Sequence, residues 1–221
     1  MSAAKSDVVI VGGGGHAKVV IEILRAAGES VLGFTDRDPA ARCGGLARRL
    51  GDDDSVPLLH AEGYRRIFVA LGGNEIRRRL GSHLLEDGFE VVNAIHPTAV
   101  ISPSTTLGRG VAVMATAVIN AATWVGDFVV VNTGATVDHD CHLGAACHVA
   151  PGCHLSGYIR VGEEALLGVG STVGRGRPMT IGSGAIVGAG SVVVSDVPAG
   201  ERWAGNPARA LRSSTPHGSE A

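Results

Sequence analysis

Aliphatic side chains return at every sixth position through the second half of the chain. A helix that buried one face would repeat them every three to four positions, so this spacing does not predict helices. It predicts a parallel β-helix, in which each short strand supplies one inward aliphatic side chain and three strands form one triangular coil. The series is Ile95, Ile101, Leu107, Val113, Ile119, Val125, Val131, Val137, Leu143, Val149, Leu155, Val161, Leu167 and Val173, and after a two-residue insertion Ile181, Val187 and Val193.

The other positions of each hexad support the same fold. Four positions after the aliphatic residue the side chain is usually small, as at Ala117, Ala135 and Ser171, which predicts inward or corner slots of little volume. Glycine often follows the aliphatic residue directly, as at Gly126 and Gly144, and predicts a sharp bend there. After Leu211 the chain is polar, and residues 212–221 are predicted to be a disordered tail.

The first part of the chain follows a different pattern. Buried strands are predicted at 8–11, 31–35 and 67–71, with helices after the first and the third, the latter capped by Asn74. Strands that alternate with helices predict a parallel sheet with ligands at the carboxyl ends of its strands. The loop 12–15, Asp36 and Gly72 all follow such ends, so three loops are expected to converge on one crevice. We therefore predict a Rossmann-like domain at 1–94 and a β-helix at 95–211.

The glycine-rich loop admits more than one ligand. Gly12, Gly14 and Ala17, with Asp36 one strand later, match a dinucleotide fingerprint, because glycines let the backbone approach a pyrophosphate at a helix N-terminus. The segment before the repeats has only about half the length of a two-lobed dinucleotide domain. A nucleoside diphosphate fits the same chemistry, and a plain strand-to-helix turn stays open as the structural alternative.

Composition and charge narrow the function classes. The chain has 221 residues and a net charge of −2, which gives no basic footprint for nucleic acid. It has no apolar run long enough to cross a membrane and no signal peptide pattern, so we expect a cytoplasmic protein. Cys141, Cys147 and Cys153 recur every six residues and so fall on different faces of a coil, which predicts core packing rather than a metal or disulfide cluster. Cys43 lies in a predicted loop.

Several motifs together resemble one enzyme family. They are Gly12-Gly13-Gly14-Gly15-His16, Phe34-Thr35-Asp36-Arg37, the run from Ala70 to Arg77, the run from Asn132 to Asp140, and Trp203-Ala204-Gly205-Asn206-Pro207-Ala208-Arg209. The chain is similar to the hexapeptide-repeat sugar-nucleotide acetyltransferases that act on 4-amino-4,6-dideoxysugars. The resemblance extends from Val8 to Leu211. It implies a left-handed β-helix, a homotrimer with active sites between adjacent β-helices, and acetyl-CoA as cosubstrate without a metal.

The resemblance also assigns roles to individual residues. The catalytic base falls on His139 and its supporting carboxylate on Asp140. Coenzyme A contacts fall on His148, Val169 and Ala189. The contacts to the sugar nucleotide fall on Gly14, Gly15, His16, Asp36, Arg37 and Gly72. The implied substrate is a nucleotide-linked amino-dideoxysugar, with GDP-perosamine favoured over a UDP-linked sugar and N-acetylation over O-acetylation.

The chemistry of the residues supports a base at His139. Acetyl transfer to an amine needs a group of near-neutral pKa to take the proton, and a flanking carboxylate fixes the imidazole tautomer. Asp138 and Asp140 are both candidates, and Asp140 reaches the ring only if the chain turns a corner there. One coil is three hexads, so the residue stacked on His139 is Gly157, whose N–H we predict to be the oxyanion donor.

Other assignments stay open. His142, His148 and His154 fall on three faces and are expected at the surface or at a subunit interface. None of these histidines, nor His139, has a partner at the five-residue spacing of γ-class carbonic anhydrases. The insertion carries Arg175 and Arg177, which either meet the phosphates of coenzyme A or are merely solvated. A nucleotide-sensing trimeric scaffold is the non-enzymatic alternative.

Overall fold

The computed structural model describes residues 5–211, and the predicted tail lies outside them. The N-terminal region alternates strands and helices as predicted. Its elements are β1 (Lys5–Val11), α1 (Gly15–Ala26), β2 (Val31–Thr35), a 3₁₀ turn (Cys43–Gly45), β3 (Arg49–Gly51), α2 (Ser55–Ala61), β4 (Tyr64–Val69), α3 (Asn74–Glu86) and β5 (Glu90–Val91).

These five strands form one parallel sheet in the order β3-β2-β1-β4-β5. The sequence pattern missed β3, α2 and β5, which are short and carry no clear periodicity. The predicted helix cap is wrong, because α3 is capped at Gly73 and begins at Asn74, whose side chain bonds elsewhere. Among the described residues no helix combines the length and apolar character needed to cross a bilayer.

The C-terminal region is a left-handed parallel β-helix with three faces. Face one contains β6 (Ala94–Ile95), β9 (Ala112–Val113), β12 (Val130–Val131), β15 (His148–Val149), β18 (Leu166–Leu167), β21 (Ile186–Val187), β23 (Arg202–Gly205) and the antiparallel β24 (Ala208–Ala210). Face two contains β7 (Val100–Ile101), β10 (Val118–Ile119), β13 (Thr136–Val137), β16 (His154–Leu155), β19 (Thr172–Val173) and β22 (Val192–Val193). Face three contains β8 (Thr106–Leu107), β11 (Trp124–Val125), β14 (His142–Leu143), β17 (Ile159–Val161) and β20 (Met179–Ile181).

The hexad rule predicts the stacking of coils. Residues 18 apart pair, as Thr136 does with His154, until the insertion raises the offset to 20, as between Thr172 and Val192. The predicted inward aliphatic residues from Val113 onward are almost fully buried, and so are the three cysteines of the repeats. The expectation that these cysteines pack in the core is therefore confirmed. Cys43 is also buried, in the 3₁₀ turn.

The reason for glycine after the aliphatic residues differs from the sharp bend that was predicted. Gly108, Gly126, Gly144, Gly162 and Gly182 all follow strands of face three, and none has a positive φ. A Cβ at Gly144 would lie 2.6 Å from the backbone nitrogen of Glu163 in the next coil. Close contact between coils, rather than an unusual bend, therefore excludes a side chain at this corner.

The N-terminal region packs on face one and on the adjoining corner. Outward residues of face one, among them Ala112 and Val130, join the core between α1 and the sheet. On the other side of the sheet, α3 sits on Phe128, since a Cβ at Gly81 would lie 2.5 Å from that ring. The β-helix thereby contributes buried side chains to the hydrophobic cores on both surfaces of the N-terminal sheet.

Candidate active site

His139 lies on the corner between face two and face three. The chain leaves β13, turns, and adopts a left-handed conformation at Asp140, with φ of 56°. Aspartate tolerates this conformation better than most residues. The turn brings the Asp140 carboxylate to 2.8 Å from His139 Nδ1. The sequence allowed this pair only if the chain turned a corner, and it does so.

Asp138 has a different role from Asp140. One of its oxygens accepts the backbone N–H of His139 at 2.8 Å and the side-chain amide of Asn120 at 3.0 Å. These hydrogen bonds lower the pKa of the Asp138 carboxyl. Because Asp138 fixes the backbone and Asp140 meets the ring, Asp140 is the carboxylate placed to fix the imidazole tautomer.

The next coil covers the imidazole with Gly157 and Tyr158. A Cβ at Gly157 would lie 2.7 Å from Cε1 of His139, so only glycine leaves room for the ring in this position. The Tyr158 ring meets the imidazole edge-on, with centroids 5.1 Å apart. Within residues 5–211 the Gly157 N–H donates to no acceptor. The stacking of Gly157 on His139 is as the repeat predicts.

The three loops of the N-terminal sheet converge as expected. They enclose a cavity of about 410 Å³ at the carboxyl ends of β1, β2 and β4, with Asp36, Arg37 and Asp53 on its wall. The Asp36 carboxylate accepts the backbone N–H of Gly13 at 2.6 Å and that of Asp38 at 2.8 Å. Asp36 therefore holds the glycine loop in shape. Arg37, beside it, pairs with Asp53 and is largely exposed.

The glycines after β1 and β4 fall into two groups; Gly12 lines the cavity, whereas Gly14, Gly15 and Gly72 are not part of its described lining. Gly12 has a φ of 106°, and a Cβ there would lie 2.9 Å from the Ala70 carbonyl oxygen, while a Cβ at Gly13 would overlap the Phe34 ring. These two are required by the fold. Gly14, Gly15 and Gly72 have ordinary φ values and open space where a Cβ would be. Nothing within the chain explains their being glycine, and Gly14 and Gly15 form the N-terminus of α1, where backbone N–H groups favour an anion.

His16 and His148 lie close together between the two regions. Burial, and next the charge of Arg77, lower the pKa of each imidazole to about 4, so both are neutral near pH 7. Asn132 Oδ1 accepts the Thr133 N–H, which leaves the Asn132 amide to donate to His148 Nε2 at 3.0 Å. His148 therefore carries its proton on Nδ1. His16 Nε2 is buried without a partner among the described residues.

His148 differs from the expectation that all three histidines lie at the surface or at a subunit interface. Of the three, His154 is exposed, and His142 stacks on Trp124 with centroids 4.2 Å apart. His148, by contrast, belongs to the junction with the N-terminal region. Its neighbour Asn132 was not singled out as a site residue, although it stands 16 positions earlier in the adjacent coil.

The predicted site residues do not all meet within one chain. The crevice, His16 and His148 lie on the face-one side of the β-helix, whereas His139 lies on the corner between face two and face three. Val169 and Ala189 are at a third location. They stack in adjacent coils on the exposed corner between face one and face two. No contact joins His139 to the N-terminal region within residues 5–211.

One helix face was missed by the sequence analysis. Ile76, Arg79, Leu80 and His83 follow a helical spacing along α3 and line the crevice. The sequence feature that could have indicated this face is the mixture of polar and apolar side chains at helical spacing directly after Gly72 and Gly73. No group of three His, Cys, Asp or Glu residues between positions 5 and 211 is arranged to hold a metal ion.

Comparison with known proteins identifies relatives for the whole described chain. Residues 7–84 match the PglD N-terminal domain family. PerB from Caulobacter crescentus, solved with CoA and GDP-perosamine, is 53% identical, with 96% of this chain and 100% of that chain covered and a TM-score of 0.89. The acetyltransferase domain of PglB from Neisseria gonorrhoeae FA1090, solved with acetyl coenzyme A, is 41% identical, with coverage of 94% and 100% and a TM-score of 0.87.

A curated protein with a similar sequence is also an N-acetyltransferase by name. UDP-N-acetylbacillosamine N-acetyltransferase from Bacillus subtilis is 34% identical over 111 residues, which are 49% of this chain and 51% of that protein. The match thus spans about half the length of this curated relative. The identity to PerB, in contrast, extends over both complete folds. The chain therefore belongs to the family of left-handed β-helix sugar-nucleotide N-acetyltransferases that contains PerB.

Proposed function

We propose that this protein transfers the acetyl group of acetyl-CoA to the amino group of a nucleotide-linked 4-amino-4,6-dideoxysugar, with GDP-perosamine as the substrate. The observation that carries the chemistry is the His139–Asp140 hydrogen bond of 2.8 Å beneath Gly157. The substrate class comes from PerB, which was solved with CoA and GDP-perosamine. Residues 1–94 serve the nucleotide and residues 95–211 the acyl donor.

The proposed reaction is a direct transfer. The sugar amine attacks the thioester carbonyl, and His139 takes the proton that the nitrogen loses. The carbon–sulfur bond then breaks, and the imidazolium gives this proton to the sulfur, so that coenzyme A leaves as the thiol. Asp140 holds the imidazole with its proton on Nδ1, which leaves Nε2 to accept. The free Gly157 N–H is the donor for the negative oxygen of the tetrahedral intermediate.

The crevice suits a nucleoside diphosphate. Gly14, Gly15 and Gly72 leave open space, and the N-terminus of α1 supplies N–H groups without an acidic residue in its first turn. Asp36, Asp53, Arg37 and Arg79 all lie on the wall, and Arg37 pairs with Asp53. Arg79, which forms no ion pair among the described residues, is the cation placed to meet a phosphate. His16 presents an unpartnered nitrogen at the adjoining junction, where a ligand group can complete its hydrogen bond.

The positions of the site residues support a site between subunits. Within one chain, the crevice and the base lie on different sides of the β-helix, and the corner of Val169 and Ala189 lies apart from both. A trimer of parallel β-helices would place the crevice of one subunit beside His139 of the partner subunit. We propose this homotrimer, with coenzyme A lying along the Val169–Ala189 corner and near His148.

A direct test is thiol release. Acetyl-CoA is mixed with the protein and a panel of GDP- and UDP-linked amino sugars, together with the matching 4-hydroxy sugars. We expect free thiol with the GDP-linked amine. Thiol release only with hydroxy sugars would make the protein an O-acetyltransferase, and nucleotide binding without any thiol would favour the scaffold.

The identity of the nucleobase in the substrate is tested by thermal shift. GDP, UDP, CDP and dTDP are each added at the same concentration, and the unfolding temperature is measured. At about 100 times its dissociation constant, a ligand adds about 2.7 kcal/mol to the unfolding free energy. We expect GDP to give the largest shift. A larger shift with UDP would reassign the substrate to a UDP-linked sugar.

The insertion loop offers a test of coenzyme A binding. Arg175 and Arg177 are exposed on the loop between β19 and β20, and Arg175 donates to the Val194 carbonyl at 3.2 Å. Alanine at both positions should raise the KM for acetyl-CoA about 2- to 30-fold, since exposed ionic contacts contribute about 0.2–1 kcal/mol each. The KM for the sugar nucleotide should not change. An unchanged KM for acetyl-CoA would mean that the arginines are merely solvated.

A further inference from the structure

The first turn of α3 carries a buried positive charge that the proposed reaction does not use. Arg77 is only 1% exposed. Each of its N–H groups has an acceptor: Nε donates to the Phe128 carbonyl, Nη1 to the carbonyls of Leu71 and Gly72, and Nη2 to Asn74 Oδ1 and the Ala146 carbonyl. Within residues 5–211 none of these acceptors is a carboxylate.

The acceptors come from both regions of the protein. Leu71 and Gly72 form the crevice loop after β4, whereas Phe128 and Ala146 occupy the same β-helix corner in successive coils. Asn74 extends the contact to the third coil, since its amide donates to the carbonyl of Glu164 at 2.9 Å. One helical turn therefore binds three coils of the β-helix and one loop of the crevice.

The β-helix corner is shaped for this contact. Phe128, Ala146 and Glu164 are all left-handed, with φ of 62°, 54° and 59°. Such values are uncommon for residues other than glycine, and for a bulky residue such as Phe128 they require support from the surroundings. Arg77 bonds the carbonyls of the first two of these residues, and Asn74 bonds the third. Lysine has three donors on a single nitrogen and cannot reach this set of acceptors.

We propose that Arg77 is a positioning residue for acetyl transfer, which fixes the nucleotide crevice at one angle on the β-helix and so aligns the sugar amine with the acyl donor. This inference rests on the proposed function. Arg77 touches neither reactant in this scheme and acts through the Leu71–Gly72 loop. Its charge also contributes to keeping His16 and His148 neutral at the same junction.

The test compares Arg77→Lys and Arg77→Met with Arg78→Met in the full-length protein. Arg78 is a matched control, because it lies on the same helix and pairs with Glu163 and Glu164 at the same corner, but is half-buried rather than fully buried. We expect kcat of Arg77→Lys to fall about 10²-fold, the size of effect that a misplacement of about 1 Å produces. Calorimetry should show nearly unchanged binding of GDP alone and of CoA alone. Arg78→Met should keep the wild-type kcat.

Two results would overturn the proposal. One is a near-normal kcat in a folded Arg77 variant, and the other is a loss of GDP and CoA binding that equals the loss of kcat, which would make the role purely structural. If both Arg77 variants fail to fold, Asn74→Ala decides, since it removes one Arg77 acceptor and should lower kcat in the same direction by less. An unchanged kcat in Asn74→Ala would then reject the inference.

A second measurement does not depend on turnover. Hydrogen exchange in Arg77→Lys, or in Asn74→Ala if the former does not fold, should become faster at residues 71–74 and at the corners of Phe128 and Ala146. Protection at the corner of His139 should stay as in the wild type. If the wild-type protein releases no thiol, the proposed function fails, and exchange still decides whether Arg77 fixes the junction. Unchanged protection at residues 71–74 would reject it.

Discussion

Replacing His139 by asparagine should lower kcat about 10²- to 10⁴-fold, which is the usual contribution of a general base. Asparagine retains a donor that can meet Asp140 but has no group that takes a proton from the amine. The nucleotide should bind as before, because the described lining of the nucleotide cavity does not include His139, whose proposed part is to take a proton from the amine. Steady-state kinetics of thiol release, with calorimetry for GDP, measure both quantities.

Cys141 provides the matched control for this variant. It is two residues from His139 and carries a thiol, so a covalent acetyl-cysteine is the obvious competing mechanism. Burial raises the pKa of the Cys141 thiol to about 11, and its sulfur donates to the Ser156 carbonyl. Cys141→Ser should therefore keep its turnover while losing some stability. Near-normal turnover in His139→Asn would remove His139 from the mechanism, whereas an acetyl group trapped on Cys141 would overturn direct transfer.

The fold was largely predictable because the β-helix is a local pattern repeated in register. A period of six places each aliphatic residue inward, and three hexads make a coil, so the partner of any residue follows by counting 18. The stacking of Gly157 on His139 follows from the same count. The two-residue insertion was visible as well, and only changed the offset to 20.

The predictions that were wrong or missing concern contacts between segments that are far apart in the sequence. Arg77 lies in a polar stretch typical of a surface helix, and nothing near it along the chain predicts that one β-helix corner will cover it in two successive coils. The role of Asn74 was misjudged for the same reason, since its amide reaches a coil 90 residues away. His148 was expected at the surface or at a subunit interface. The hexad pattern predicts on which face of the β-helix a residue lies, but not which other segment packs on that face.

The site residues show the same limit. Sequence motifs selected His139 and the glycine loop, but they cannot tell which side of the β-helix each faces. The structure places them on different sides, and this separation is the observation that supports the proposal of a site between subunits. The glycines add a distinction that sequence alone lacks: Gly12 and Gly13 serve the fold, whereas Gly14 and Gly15 have open space where a side chain would lie.

Replacing Gly157 by alanine should lower kcat about 10²- to 10³-fold, the cost of losing one oxyanion donor. The added Cβ would lie 2.7 Å from Cε1 and 2.9 Å from Nε2 of His139, so the ring or the Gly157 backbone must move. Either movement separates the base from the N–H that is proposed to bind the intermediate. The backbone itself tolerates alanine, because Gly157 has no positive φ. Folding should therefore be nearly normal, as a thermal melt would show.

Gly184→Ala is the control for a methyl group added to a β-helix glycine. Gly184 is left-handed, with φ of 65°, and has open space around it, and Ala146 adopts a similar φ of 54° on the same corner. This variant should keep its kcat. The oxyanion role itself is decided by a crystal structure with a tetrahedral adduct, in which the Gly157 N–H should lie about 2.7–3.1 Å from the adduct oxygen. An N–H that points into the β-helix would show that this glycine only makes room for the His139 ring. A Gly157→Ala enzyme with wild-type kcat would reject both the oxyanion role and the need for that room.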